Sequence, residues 1–212
     1  MAKPRVRRQP PKPQLVRQDG DLVTALVNTG SPKRKSLRTY ADLLAWGQAA
    51  GTLTPGEAQR LERVSAERGD GSEDVLAWAE EIRSLLERVV RALLARRKPD
   101  GDDVASLNAA LAAILPLRCL VPSGGGYAWA WGDRGGDDRD RMLWDVLIAA
   151  ADLLASKHAR RIGQCPGEGC GLFFVDRTGG SPRKWCRGTC NRSGANRKYY
   201  KNTVKPRRSR PI

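Results

Sequence analysis

The chain has 212 residues, 40% of them hydrophobic and 29% charged, a globular composition with room for one ordinary helical domain and a small module. No apolar run approaches the ~20 residues of a membrane span, and the basic, proline-rich stretch Met1 to Pro13 has no apolar region behind it, which sets aside a secretory signal. The formal net charge of +15 is segregated: residues 1–17 carry six basic and no acidic side chains, residues 160–212 carry a net +12, and the stretch between carries a net −3.

A near-neutral body with two basic ends is the pattern of a folded core with polyanion-binding appendages. Without a secretory signal the chain is expected in the cytoplasm, beside the nucleoid, where thiols stay reduced and clustered cysteines serve metal rather than disulfides. Four segments follow: a basic disordered tail over 1–17, a helical domain over 18–159, a small cysteine-bearing module over 160–203 and a basic tail over 204–212. The expected fold class is mainly α, a helical domain with one β-hairpin followed by a small finger built from a short hairpin and a helix.

In chain order, Leu22 to Thr29 is apolar and stops at turn residues, and Gly30 to Arg38 is a basic loop. Tyr40 to Ala50 carries Leu43, Leu44 and Trp46 at helical spacing and closes on Gly51. Thr54-Pro55-Gly56-Glu57 reads as a capping box with proline at the first helical position, starting a helix to about Arg68. After the glycine break at 69–71, Val75, Ala79, Ile82, Leu86, Val89, Val90 and Leu93 mark a long amphipathic helix ending at Arg96-Arg97-Lys98-Pro99. Asp102 or Asp103 is expected to cap the next helix, with Leu107, Leu111 and Ile114 on one face. The period then shortens to two: Leu117, Cys119 and Val121 alternate, Pro122 to Gly126 turns, and Tyr127, Trp129 and Trp131 alternate on the return, a β-hairpin. An acidic loop, Gly132 to Arg141, leads into a last helix over Met142–Ala155.

This body holds no catalytic constellation, and the chain reads as a non-enzyme. His158 is the single histidine, so no histidine pair or facial triad can form. Gly124-Gly125-Gly126 suits a hairpin turn better than a phosphate loop. Tyr127, Trp129 and Trp131 pack a core or line a ligand pocket, and core packing is the commoner use of such a stripe. Cys119 reads as a buried apolar filler.

The chemistry is concentrated in Cys165 and Cys170, then Cys186 and Cys190. Two close pairs, each on a tight turn, supply the four thiolates of a tetrahedral metal site. Gly167, Gly169, Gly171 and Gly188 let backbone amides bend toward the sulfurs. Leu172-Phe173-Phe174-Val175 and Arg183-Lys184-Trp185 read as two short strands joined by the turn Asp176 to Pro182. Two disulfides are disfavoured by a reducing compartment, and an iron–sulfur cluster by the spacing, which leaves one structural zinc per chain. His158 could replace one thiolate, but four cysteines already complete the shell; a position near a helix C-terminus suits its charge better. A finger this small cannot fold on apolar burial alone, so zinc is expected to decide its folding. On that reading, losing one ligand unfolds the finger and leaves the helical domain intact.

After Cys190, Asn191 to Lys201 is compatible with a short helix starting at the last ligand, apart from Gly194. Arg192, Asn196 and Tyr199 share one face, and Arg and Asn are the side chains that read guanine and adenine edges. The candidate nucleic-acid contacts are Arg183, Lys184, Arg187, Arg192, Asn196, Arg197, Lys198 and Lys201, with Lys205, Arg207, Arg208 and Arg210 in a polar, proline-broken tail suited to phosphates.

At these residues the sequence resembles the CGNR zinc-finger family, regarded as bacterial stress-induced transcription regulators. The resemblance rests on Cys165 and Cys170 followed by the aromatic strand to Asp176, on Ser181 to Cys186, and on Cys190-Asn191-Arg192 with its basic helix. It extends into the body through Val27-Asn28-Thr29, Leu43-Leu44-Ala45-Trp46 and Leu120 to Gly125, which resemble the family's N-terminal, ABATE-like domain, so that body and finger together carry the resemblance over roughly residues 20 to 200. The glycine of the family's Cys-Gly-Asn-Arg is missing here, and the second cysteine pair is one residue closer than the family pattern. The resemblance implies DNA binding by the finger and a helical regulatory domain whose ligand the motifs do not identify; the expected role of that domain is to sense a small-molecule effector or to form a homodimer. An RNA- or ribosome-associated role is the competing expectation, since closed four-cysteine modules with basic helices also suit structured RNA. A pure protein–protein finger is opposed by the charge segregation.

Overall fold

A computed structural model describes residues 22–186 and Cys190, apart from 33, 35, 70–71, 133–137, 179 and the gap before Cys190. The basic stretches 1–17 and 204–212 and the helix expected after Cys190 lie outside the described residues. Six α-helices and two antiparallel hairpins follow one another among them: α1 (Leu22–Val27), α2 (Tyr40–Ala50), α3 (Pro55–Arg68), α4 (Glu73–Leu94), α5 (Gly101–Ile114), β1 (Arg118–Ser123), β2 (Gly126–Trp131), α6 (Arg141–Ala155), β3 (Ile162–Gln164) and β4 (Phe173–Val175). None of the described helices is long and apolar enough to cross a membrane.

Local chemistry sets the helix ends. The Thr39 hydroxyl accepts from the Asp42 amide at 3.1 Å and the Asp42 carboxylate accepts from the Thr39 amide, a capping box that starts α2; Gly51, at φ +75°, ends it. The same reciprocal pair, Thr54 and Glu57, starts α3 with Pro55 in its first turn. The cap of α5 is Asp100, whose carboxylate accepts from the Asp102 amide, and not Asp102 or Asp103: the helix begins at Gly101, and both of those residues already lie in its first turn.

The core is built around α6. Met142, Leu143, Trp144, Val146 and Leu147 are fully buried there, and α1, α2 and α5 pack against this helix. A methyl group on Gly47 of α2 would come within 2.8 Å of Met142 Cβ, so the glycine sets how closely α2 and α6 approach. The amphipathic α4 lays Val75, Ala79, Ile82, Leu86 and Val90 into the same core.

β1 and β2 pair with Leu120 opposite Trp129 and Pro122 opposite Tyr127. The turn is tighter than Pro122 to Gly126: only Gly124 and Gly125 separate the strands, at φ +57° and +83°, values glycine adopts without strain. The hairpin is anchored at its base, where Trp131 packs edge-on against Trp144 with ring centres 5.3 Å apart and its indole N–H donates to Asp145. Farther out the stripe is in neither a core nor an enclosed site: Trp129 is 57% exposed and Tyr127 75% exposed. Cys119 is likewise exposed rather than buried, although it pairs with the buried Ala130 near the base of the ribbon.

The second hairpin differs from expectation. β4 pairs with β3, which precedes the cysteines, in the register Ile162 to Val175, Gly163 to Phe174 and Gln164 to Phe173. Arg183-Lys184-Trp185 forms no strand; its chain runs on through bends to Cys186. The reason is packing: β3–β4 is a two-faced ribbon, with Ile162, Phe173 and Val175 in the core of the helical body and Phe174 in the separate cluster around Cys165 and Cys186.

Candidate metal centre

The first cysteine pair grows out of the β3–β4 ladder. Cys165 directly follows β3, and its N–H donates to Leu172 O at 2.9 Å, extending the ladder by one pair. Between them the chain makes a knuckle: Cys170 N–H donates to Gly167 O at 2.8 Å, and Gly169 and Gly171 take φ of +62° and +63°. Gly167 lies against the sulfurs, where a methyl group would stand 3.5 Å from Cys165 Sγ and 3.3 Å from Cys170 Cβ. Cys186 and Cys190 close over this knuckle from the other side.

All four Sγ atoms lie within 4.8 Å of one another. The separations are 3.6 Å for Cys170–Cys186, 3.6 Å for Cys186–Cys190 and 3.7 Å for Cys190–Cys170. Four sulfurs at ~2.3 Å from a tetrahedral zinc stand about 3.8 Å apart, so the donor set and its spacing fit one zinc ion. None of the five cysteines is in a disulfide. The four cysteines form a zinc-finger site for one structural Zn2+, held by Cys165, Cys170, Cys186 and Cys190. His158 stands apart, in the 3-10 turn Lys157–Arg161 after α6, its N–H bonded to the Ser156 hydroxyl.

The thiols are not equivalent. Burial is the largest influence on Cys165 and opposes ionisation, yet the N–H groups of Cys186 and Gly167, with the neighbouring thiols, outweigh it and hold its pKa below the ordinary value. Burial pushes Cys186 well up, and Cys190 moves the same way. One thiolate is thus favoured by the protein itself; four in this volume repel, and a divalent cation lets them ionise together.

Asp176 organises the chain between the two pairs. Its buried carboxylate accepts from the Thr178 hydroxyl at 2.6 Å, the Thr178 N–H at 2.9 Å, the Arg161 guanidinium at 2.8 Å and the Arg183 N–H at 3.1 Å. Those donors, Thr178 foremost, hold its pKa far below the ordinary aspartate range. Arg183 is similarly engaged. Its guanidinium donates to Trp185 O at 2.7 Å and to Cys186 O, and lies 5.0 Å from the centre of the Phe174 ring. Of the candidate nucleic-acid contacts, Arg183 therefore braces the metal site and Lys184 is exposed beside it. Arg187, Arg192, Asn196, Arg197, Lys198, Lys201, Lys205, Arg207 and Arg208 lie outside the described residues. Sequence reasoning placed Asp176 only at the end of the aromatic strand, without a role, and did not single out Arg161, since a carboxylate that gathers loop amides leaves no spacing signal.

A family model for ABATE, described as "Putative stress-induced transcription regulator", matches residues 20–157, and one described as "CGNR zinc finger" matches residues 161–202. No curated protein matches the chain.

Proposed function

Since this chain belongs to the ABATE family and carries a CGNR zinc finger behind that domain, we propose that it is a transcription regulator that binds DNA through the finger and its basic extension. The helical domain senses a ligand or joins two copies. Both families are of regulator and finger type rather than enzymes.

The observation that carries this reading is the fusion of a closed four-sulfur site to a segment of net charge +12, set against a body of net −3. Four protein ligands fill a tetrahedral zinc, so its role is to order the chain rather than to activate water. Order is what base recognition needs: loose cations neutralise phosphate, but discrimination requires side chains held in register. In this division Arg192 and Asn196 read base edges. Lys184, Arg187, Arg197, Lys198 and Lys201 hold phosphates, and Lys205, Arg207 and Arg208 add sequence-independent affinity. Arg183 supports the surface from behind.

The test is recovery of nucleic acid bound to the chain in cells, sequenced after RNase or DNase treatment. Selective enrichment of a few promoter regions supports the reading. Recovery that survives DNase and vanishes with RNase moves the protein to the RNA-associated class.

A further inference from the structure

Asn28 sits in the 3-10 turn that follows α1 and is 4% exposed. Its carboxamide N–H donates to Phe173 O at 2.9 Å, and its carbonyl oxygen accepts from Phe173 N–H at 2.9 Å, across 145 residues of chain. Two backbone strands exchange this same pair of bonds. Leu172 is tied to Cys165 and Asp176 to Arg161 on the β3 side. Phe173 therefore turns its N–H and C=O to the opposite edge of β4, and Asn28 serves there as a one-residue strand. A primary amide suits the place because it offers a donor and an acceptor in one plane. Without it, two buried backbone groups would have no partner.

The clamped strand joins two interiors. Phe173 enters the core of the helical body, where the Arg91 guanidinium of α4 lies 5.3 Å from its ring centre. Its neighbours Leu172 and Phe174 pack with Cys165 and Cys186. We propose that Asn28 is a positioning residue for the metal centre: by fixing β4 on the body, it makes zinc binding and folding of the helical domain one linked equilibrium. Linkage is reciprocal, so zinc stabilises the body, and whatever displaces the turn after α1 weakens zinc. Resting on the DNA-binding reading, the same clamp carries the state of the helical domain to the finger.

The test uses the full chain under reducing conditions, with far-UV circular dichroism reporting the helices and a chromophoric chelator reporting zinc. Stripping zinc from the wild type should lower the melting temperature of the helices; an unchanged melt overturns the proposal. In Asn28→Asp, which keeps the acceptor but loses the donor, zinc affinity should fall on the order of tenfold and the gap between zinc-bound and stripped melts should narrow. Val175→Ala is the control, since it trims packing on the same strand and leaves both Asn28 bonds in place. It should lower both melts while keeping zinc affinity within about twofold. Equal zinc loss in the two variants would reduce Asn28 to ordinary packing and overturn the assignment. At saturating zinc, Asn28→Asp should also bind DNA more weakly. A wild type that binds no DNA would end the regulatory reading while the zinc and melting arms still judge the linkage.

Discussion

Gly163 and Phe174 face each other across the β3–β4 ladder so closely that a methyl group on the glycine would meet the ring at 2.6 Å. The ring forms the floor of the cysteine cluster, so it cannot retreat without disturbing Cys165 and Cys186. Gly163→Ala should destabilise the chain by about 1–3 kcal/mol, the usual range for overpacking, and weaken zinc retention with it. Urea unfolding and chelator competition measure the two effects.

Single Cys→Ser changes at 165, 170, 186 and 190 should each release the zinc, read by elemental analysis against one ion per chain in the wild type. A finger folding independently of the body, as the cysteine spacing alone suggests, would leave the helical domain untouched. The geometry points instead to a shared loss, because Ile162, Phe173 and Val175 belong to the body's core. The helices should persist at 25 °C but melt earlier than in the wild type. Retention of full zinc by any two of these variants would refute the four-sulfur assignment.

Asp176 gives a pH dependence with a definite sign. Its folded pKa is depressed, so its contribution is complete above about pH 4, the range of an unfolded aspartate, and is lost as pH falls further. Asp176→Asn should be less stable than the wild type at pH 7, with the gap closing below about pH 4 in urea titrations. A gap that vanishes earlier, where protons displace zinc from the thiolates, would tie the carboxylate to the metal-bound finger alone.

The tryptophans of the first hairpin should behave oppositely. Trp131→Ala removes a ring packed on Trp144 and the bond to Asp145, and should destabilise by about 3 kcal/mol, the low end for a large aromatic truncation. Trp129→Ala touches a side chain that is mostly in solvent and should shift the melting temperature little. Equal effects in calorimetry would contradict this placement.

Deleting residues 204–212 should weaken binding to all DNA about equally and flatten the slope of log affinity on log salt by ~0.9 for each phosphate the tail had neutralised. Arg192→Ala or Asn196→Ala should instead lose ~1–3 kcal/mol on a preferred site and much less on a scrambled one. Titrations of both DNAs at several salt concentrations separate the two; equal weakening on both would make the finger a non-specific clamp.

Much of the helical layout was legible because helix ends advertise themselves. Thr54–Glu57, Gly51 and Gly69 are local signals acting within a turn, and α3 and the end of α2 sit where they place them, whereas the Thr39–Asp42 box that starts α2 went unread. The zinc ligands were legible because a tetrahedral site demands four like donors in close pairs. The partner of β4 was not: Ile162-Gly163-Gln164 is too short to show a period, and the aromatic character of Trp185 favoured the wrong segment. Asn28 and Asp176 both carry the family resemblance, but what they do escaped for a different reason. Their roles are defined by backbone amides and carbonyls, which every residue carries, so nothing in the side-chain sequence marks the partner.

The pairing of α1 with β4 has a consequence for synthesis. The turn that closes α1 leaves the ribosome some 145 residues before the strand that covers its polar groups. Helices α2 to α6 can collapse as they emerge, but the surface that receives Phe173 stays open until β4 has been made. A chain released early would carry an exposed apolar slot beside an unpaired amide, a state that proteases and chaperones recognise. Only a chain that extends through β4 closes it.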